Sequence, residues 1–280
     1  MRIAISAEST NDLTKELIQQ NDVKIIPYTV VLGDQEVKDG TIPTSDIFEF
    51  VKQNNVLPKT TAINEYEYLE YFEGIKKDYD AIVHIALSSE ISSSCSNAIR
   101  ASKQLENVYV VDSRSLSTGI GLLVLYACDL VKEGVSASDI AKKLDERKSK
   151  LQVSFVVERL DYLFKGGRCS SLQLLGANLL KIRPRIVLKD GKMGMDKKYR
   201  GSMGKVIAQY VQDVFADFHT PDLTRVFITY SSATPEMIEQ AKLGCESVGF
   251  KNIYQSYAGA TITSHCGENT LGILFFNDGE

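Results

Sequence analysis

The chain has 280 residues, 44% of them apolar, and its 32 basic and 36 acidic residues give a formal net charge of −4. This length and composition predict about two globular domains with buried cores. The charge balance, without a basic cluster, argues against a nucleic acid as a partner. The five cysteines are scattered and never form a C-x-x-C pair, which is typical of reduced thiols and argues against a disulfide framework or a metal site.

The N-terminus, MRIAISAES, enters an apolar segment directly and lacks the successive zones of a secretory signal peptide. The longest uncharged run, near residues 115–128, is shorter than the roughly 18 residues that a membrane-spanning helix needs. We therefore expect a cytoplasmic protein.

The first 150 residues alternate predicted strands with predicted helices. The strands are at 2–6, 23–32, 81–87 and 108–111, and the helices are at 11–20, 44–51, 65–76, 93–105, 116–132 and 138–148. A polar loop at 58–62 precedes the third helix. This alternation indicates an α/β fold, so we predict an N-terminal α/β/α domain with a parallel sheet over residues 1–150.

The pattern changes near residue 152. Strands are predicted at 152–157, 185–188, 225–230 and 271–276, and Lys189-Asp190-Gly191-Lys192 is a hairpin signal. Hairpins imply antiparallel pairing, so we predict a C-terminal α+β domain with a mixed sheet over residues 151–280. Because no linker separates the two segments, the domains should pack closely together.

A serine-rich segment, LSSEISSSCSNA, follows the apolar run 81–87 and has six serines in residues 87–98. The periodicity of the following residues places these serines at the start of a helix. The N-terminus of a helix at the carboxyl end of a strand is a place where α/β sheets bind anions. The alternative is an ordinary serine cap without a ligand.

Two short polar segments could lie near this loop. Thr60 and Thr61 lie in the loop PKTTA, and their alternative role is to cap the next helix. A glycine pair places Arg168 in a turn, and its alternative role is an exposed surface arginine.

We expect His265 to lie on a glycine-flanked turn, SHCG, before the last apolar strand. We prefer it as a site residue to the other two histidines, because His84 lies inside a strand and His219 lies beside a Thr-Pro pair. The alternative is a structural imidazole with satisfied hydrogen bonds.

Several motifs are missing from the sequence. There is no G-x-x-x-x-G-K-[ST] loop and no G-x-G-x-x-G fingerprint, so we expect no self-contained ATP or dinucleotide site. The G-x-S-x-G turn of serine hydrolases is absent as well.

Six segments carry a family resemblance: ISAESTNDL, PKTTA, LSSEISSSCSNA, VVDSRSLSTGIG, FKGGRCSS and ITSHCGENTLGI. In this order and spacing the chain resembles the DegV family over nearly its whole length. It departs from the family pattern at four places. Glu8 stands where Asp is usual, and Thr61-Ala62 stands where Ser-Gln is usual. Residues 91–95 replace a loop with Gly, Thr and Tyr, and Glu268-Asn269 replaces a usual Pro-Gly.

The resemblance implies a two-domain protein that holds a long-chain fatty acid and is the acyl-binding subunit of a bacterial fatty-acid kinase. Such a subunit is not catalytic alone, carries no cofactor, and presents the acyl carboxylate to a separate ATP-binding kinase subunit. A transient contact with a membrane surface would accompany this role. The resemblance assigns the carboxylate to Thr60, Ser92 and His265, and it places a second set of residues at the head group or facing the partner, namely Thr61, Ser93 and Arg168.

Elementary energetics agree with a bound fatty acid. A carboxylate that leaves water needs several hydrogen-bond donors, and each buried methylene of the tail contributes about 0.8 kcal/mol. Candidate residues for the tail are Phe164, Leu175, Ile262, Leu271 and Ile273, which a plain core would use equally well.

Two other functions remain open at the level of sequence. One is a lipid carrier or sensor without a kinase partner. The other is a serine hydrolase or transferase that uses Ser92 or Ser93 with His265, although a third triad member is not evident.

Overall fold

The computed structural model describes residues 1–169 and 182–279. Its strands are β1 (Ile3–Glu8), β2 (Lys24–Ile26), β3 (Thr29–Leu32), β4 (Gln35–Lys38), β5 (Lys59–Thr61), β6 (Ala81–Ala86), β7 (Val108–Asp112), β8 (Leu151–Val156), β9 (Arg183–Lys189), β10 (Lys192–Tyr199), β11 (Val226–Tyr230), β12 (Ile253–Tyr257) and β13 (Leu271–Phe276). Its α-helices are α1 (Lys15–Gln20), α2 (Thr44–Asn54), α3 (Glu65–Lys76), α4 (Ser94–Ser102), α5 (Thr118–Lys132), α6 (Ala137–Arg147), α7 (Asp161–Gly166), α8 (Met203–Asp217), α9 (Pro235–Val248) and α10 (Ala260–Cys266).

The N-terminal part forms a four-stranded sheet in the order β2-β1-β6-β7, and all its strands are parallel. Strand β6 is buried at every position, as expected for a central strand covered on both faces. The predicted parallel sheet is confirmed. Strands β1, β2 and β6 end at the carboxyl edge of this sheet, and the serine-rich loop follows β6 at the same edge.

The C-terminal part forms a six-stranded mixed sheet in the order β10-β9-β8-β13-β11-β12, in which only the β11–β12 pair is parallel. The predicted hairpin is confirmed, because β9 and β10 pair around Asp190 and Gly191, whose φ angles are 50° and 80°. Positive φ at both central residues is typical of a tight hairpin turn. The predicted mixed sheet is therefore confirmed too.

The prediction of one long strand over 23–32 is wrong. The segment forms β2 in the parallel sheet and then β3 in a separate antiparallel sheet of order β4-β3-β5. Pro27 stands at the break, where its missing N–H and fixed φ end the pairing of β2. The direction change places Tyr28 at the corner between the two sheets.

Two further predictions need correction. The loop predicted at 58–62 contains β5, which pairs with β3 and brings Thr60 opposite Val30. The helix predicted over 11–20 begins only at Lys15, because a 3₁₀ turn, Ser9–Asn11, precedes it. The Asn11 side chain fixes that turn through bonds to the backbone of Glu8 and Leu13.

One apolar core runs from the parallel sheet into the mixed sheet. It joins Ile5, Ile82 and Leu123 to Phe155 and Leu274. A second core lies on the other face of the mixed sheet, where Leu271, Ile273 and Phe275 of β13 pack against α8 and α9. In the described part of the chain, no helix combines the length and apolar character needed to cross a membrane.

Candidate functional site

A cavity of about 170 Å³ lies between the carboxyl edge of the parallel sheet, β5, α7 and α10. Residues far apart in sequence meet around it. Its polar wall is formed by Tyr28, Thr60, Ser92, Ser93, Arg168, Thr261 and His265. Its apolar wall is formed by Ala62, Leu87, Ile91, Leu116, Leu163, Met193, Ile262 and Cys266.

Ser92 lies in the loop between β6 and α4, two residues before α4 begins. Its Oγ accepts hydrogen bonds from the Tyr28 hydroxyl at 3.2 Å and from the Ser94 backbone N–H at 3.2 Å. It donates to Ser94 Oγ at 3.2 Å. The sequence-based prediction that the serines lie at a helix start is confirmed, since α4 begins at Ser94.

Glu8, the last residue of β1, holds the start of the serine-rich loop. Its carboxylate is fully buried and accepts hydrogen bonds from the Leu87 N–H at 2.7 Å and the Tyr68 hydroxyl at 2.6 Å. His84, also fully buried, lies 3.5 Å from the same carboxylate and bonds to Ser6. His84 is thus a structural residue of the sheet, as its strand position indicated.

His265 lies in the last turn of α10, not in the glycine-flanked turn that the sequence suggested. Its Nε2 and Thr60 Oγ1 are 2.8 Å apart and hydrogen-bonded. Its Nδ1 is buried, has no hydrogen-bond partner among the described residues, and faces Gly166. Burial, with a smaller effect from the charge of Arg168, lowers the pKa of His265 to about 4, so the imidazole is neutral at physiological pH.

Two buried aspartic acid side chains hold the start of α10. Asp12 accepts from the Gly259 N–H at 2.8 Å and from the Ser117 hydroxyl at 2.5 Å. Asp39 accepts from the Ala260 N–H at 2.8 Å and the Thr261 N–H at 3.3 Å. Acidic groups at a helix start satisfy amides that lack intrahelical partners.

Asp12 and Asp39 were not among the site residues predicted from the sequence. Asp12 adopts a left-handed conformation, with φ 49°, directly after the 3₁₀ turn, and Asp39 precedes Gly40. Aspartates in such positions usually indicate turns, and their contact with a helix more than 200 residues away is visible only in the folded chain.

The remaining predicted site residues divide between two places. Ser93 and Arg168 are exposed and line the cavity, and Arg168 donates to the Gly166 carbonyl at 2.6 Å. Thr61 is exposed and lies on the opposite side of β5, in a separate surface groove with Lys38 and Glu67. Successive strand residues point to opposite faces, which is why Thr60 faces the cavity and Thr61 does not.

The apolar wall continues inward. A second, smaller cavity shares Leu116, Ile262 and Cys266 with the first and reaches Phe155 and Leu274 in the mixed sheet. Of the residues expected to contact an acyl tail, only Ile262 lines these cavities. Leu271 and Ile273 face the other core, Phe164 is 43% exposed, and Leu175 lies outside the described residues.

The arrangement can bind an acceptor-rich head group next to an apolar chain. It does not resemble a Ser–His catalytic pair, because the partner of His265 Nε2 is Thr60, and the partners of Ser92 Oγ are Tyr28 and Ser94. Within residues 1–169 and 182–279, no group of three or more His, Cys, Asp or Glu side chains could hold a metal ion.

Comparison with known proteins gives consistent results. A family model described as an uncharacterised protein of the DegV family matches residues 2–278. Protein DegV of Bacillus subtilis is 32% identical over 282 residues, which cover 98% of this chain and 99% of that protein.

Two solved structures are similar over almost the full length. A DegV family protein from Thermus thermophilus, described by its fatty acid binding, has a TM-score of 0.91 at 25% identity and covers 99% of this chain and 100% of its own. DegV from Bacillus subtilis, described as a fatty acid binding protein, has a TM-score of 0.83 at 31% identity and covers 99% of both chains. The chain therefore belongs to the DegV family.

Proposed function

We propose that this chain binds a long-chain fatty acid in the cavity and holds the carboxylate with Thr60, Ser92 and His265. The observation that carries the proposal is the 2.8 Å hydrogen bond between Thr60 and His265, residues 205 positions apart, on a cavity that Ser92 also lines. The fatty acid binding described for the similar proteins of Thermus thermophilus and Bacillus subtilis supports it.

The carboxylate would receive its hydrogen bonds from hydroxyl groups. With its proton on Nε2, the neutral His265 donates to Thr60 Oγ1, and the Thr60 hydroxyl is then free to donate into the cavity. The same tautomer avoids an N–H without a partner at the buried Nδ1. Each hydrogen bond to a charged carboxylate contributes about 1.5 to 3 kcal/mol.

The tail would lie against the apolar wall and extend toward the second cavity. Burial of each methylene contributes about 0.8 kcal/mol, so the tail supplies most of the affinity and the hydroxyl groups fix the orientation. Leu116, Ile262 and Cys266 line both cavities, so movements of these side chains would bring the two cavities together.

The head-group end would face solvent beside Ser93 and Arg168, both exposed on the cavity wall. We propose that a separate ATP-binding kinase subunit reaches the carboxylate there and forms an acyl phosphate, and that the protein works in the cytoplasm with transient contact to a membrane surface. The sequence has no G-x-x-x-x-G-K-[ST] phosphate-binding loop, and we therefore expect ATP to come with the partner. A lipid carrier or sensor without a kinase is the second candidate.

Fatty-acid titration of three serine and histidine variants tests the binding site. We expect Ser92→Ala and His265→Ala each to weaken binding about tenfold. Ser92→Ala removes a hydroxyl that donates to the carboxylate, and His265→Ala removes the imidazole that orients the Thr60 hydroxyl. Ser96→Ala is the matched control, since Ser96 is exposed on α4, the helix that follows Ser92. Equal affinities in all four proteins would contradict the assignment.

The kinase role needs a second measurement. The loaded protein is mixed with ATP and a bacterial ATP-binding fatty-acid kinase subunit, and the acyl phosphate is trapped with hydroxylamine. Acyl hydroxamate should form with the wild type and decrease with Ser92→Ala. Tight binding without any hydroxamate would instead favour the carrier or sensor.

A further inference from the structure

Tyr28 is fixed at the corner between the parallel sheet and the small antiparallel sheet. Its side chain is only 2% exposed and lines the cavity. Its backbone N–H donates to Ser9 Oγ at 3.1 Å, and its carbonyl accepts from the Asp39 N–H at 2.9 Å. Both backbone polar groups are thus held, and the phenol ring projects toward the serine-rich loop.

The hydrogen bonds at Ser92 determine what this serine can offer a ligand. A serine hydroxyl has two acceptor lone pairs and one proton. The Tyr28 hydroxyl and the Ser94 N–H occupy the two acceptor positions. The remaining proton points to Ser94 Oγ, which already accepts from the Ile63 N–H at 3.0 Å. Ser92 can therefore redirect its proton to a ligand without leaving Ser94 Oγ unsatisfied.

Tyr28 has the properties of a permanent donor. Burial, followed by the nearby charge of Glu8, raises the pKa of its hydroxyl above the ordinary value for tyrosine. The phenol consequently keeps its proton throughout the physiological pH range.

We propose that Tyr28 is a positioning residue that makes Ser92 a hydrogen-bond donor only, and that the site thereby selects a carboxylate over a primary alcohol of equal chain length. The inference rests on the proposed fatty-acid binding. A carboxylate has only acceptor sites, which match a donor-only Ser92. An alcohol must place its own proton, and Ser92 Oγ cannot accept it because both of its lone pairs already accept hydrogen bonds.

Tyr28→Phe tests the proposal through head-group selectivity. Wild type and variant are titrated with hexadecanoic acid and with hexadecanol by displacement of a fluorescent fatty acid. Tyr71→Phe is the matched control, because Tyr71 is a partly buried tyrosine whose hydroxyl bonds to Ser6 at 2.9 Å, outside the cavity. Urea unfolding of each protein verifies the fold.

We expect Tyr28→Phe to weaken binding of the acid about five- to tenfold, the equivalent of one hydrogen bond, and to leave binding of the alcohol unchanged or tighter. The acid-to-alcohol affinity ratio then decreases at least about fivefold, and Tyr71→Phe retains the wild-type ratio. In a Ser92→Ala background, Tyr28→Phe should have no further effect on the acid.

An unchanged ratio in Tyr28→Phe, with the wild type binding the acid, would overturn the role of Tyr28 and leave the proposed function intact. An equal decrease in Tyr71→Phe would overturn it as well, because the effect would then be a general one on buried tyrosines. Failure of the wild type to bind the acid would overturn both proposals.

Discussion

Gly166 packs directly against the imidazole of His265. A Cβ at position 166 would lie 2.7 Å from His265 Nδ1, closer than side-chain carbon atoms approach a neighbour. The glycine therefore allows the ring to reach Thr60. Nothing in the sequence connects Gly166 with His265, because their contact depends on α7 and α10 packing together.

Gly166→Ala should weaken fatty-acid binding about tenfold, since the added methyl group moves the imidazole away from Thr60 Oγ1. Gly194→Ala is the control, because no atom of the described residues lies within 4 Å of a Cβ there and Gly194 does not have a positive φ. Affinity is measured by titration with a fluorescent fatty acid. The role of Gly166 in positioning His265 would be wrong if both alanine variants bound the fatty acid as tightly as the wild type does.

At the scale of elements, α10 depends on two aspartic acid side chains from the N-terminal half. This helix has only seven residues, and its first amides are bonded to Asp12 and Asp39. Burial is the largest effect on Asp12 and raises its pKa from 3.8 to about 8, despite the hydrogen bonds from Ser117 and Gly259. The position of α10 and the binding of a proton by Asp12 are therefore linked.

This link predicts a pH effect on stability. Between pH 4 and 8 the folded Asp12 keeps a proton that the unfolded chain loses, so its contribution to the free energy of unfolding decreases as pH rises, by up to about 1.4 kcal/mol per pH unit. Asp12→Asn has no such proton, and it can still accept from Gly259 and bond to Ser117. From pH 5 to pH 8 the variant should gain about 2 kcal/mol or more relative to the wild type.

Urea unfolding at several pH values measures this difference. Asp78→Asn, at an exposed position, is the control and should follow the wild-type curve. Parallel stability curves for the wild type and Asp12→Asn would show that Asp12 ionises normally in the folded protein.

Across the whole molecule, one apolar core connects the parallel sheet with the mixed sheet, and the two cavities lie along it. The strands of the parallel sheet end at Asp112, and those of the mixed sheet begin at Leu151. This distribution supports the division into residues 1–150 and 151–280, which stays a prediction.

The periodicity of the sequence was sufficient to predict a parallel sheet followed by a mixed sheet and the 189–192 hairpin, but not β12 of the mixed sheet, because the predicted elements have clear local patterns of burial and turn residues. It was insufficient at Pro27, where an unbroken apolar run changes sheets, and at β5, whose polar residues pair in an edge strand. Tyr28, Asp12 and Asp39 were missed for a related reason. Their partners lie far away in sequence, so no local pattern indicates their role.

The most direct test of fatty-acid binding is mass spectrometry of the organic extract from the purified, denatured protein. We expect one class of long-chain fatty acid at near one molecule per chain, and a clear decrease in a Thr60→Ala, Ser92→Ala double variant. An empty wild-type protein that also takes up no added fatty acid would contradict the proposed fatty-acid binding.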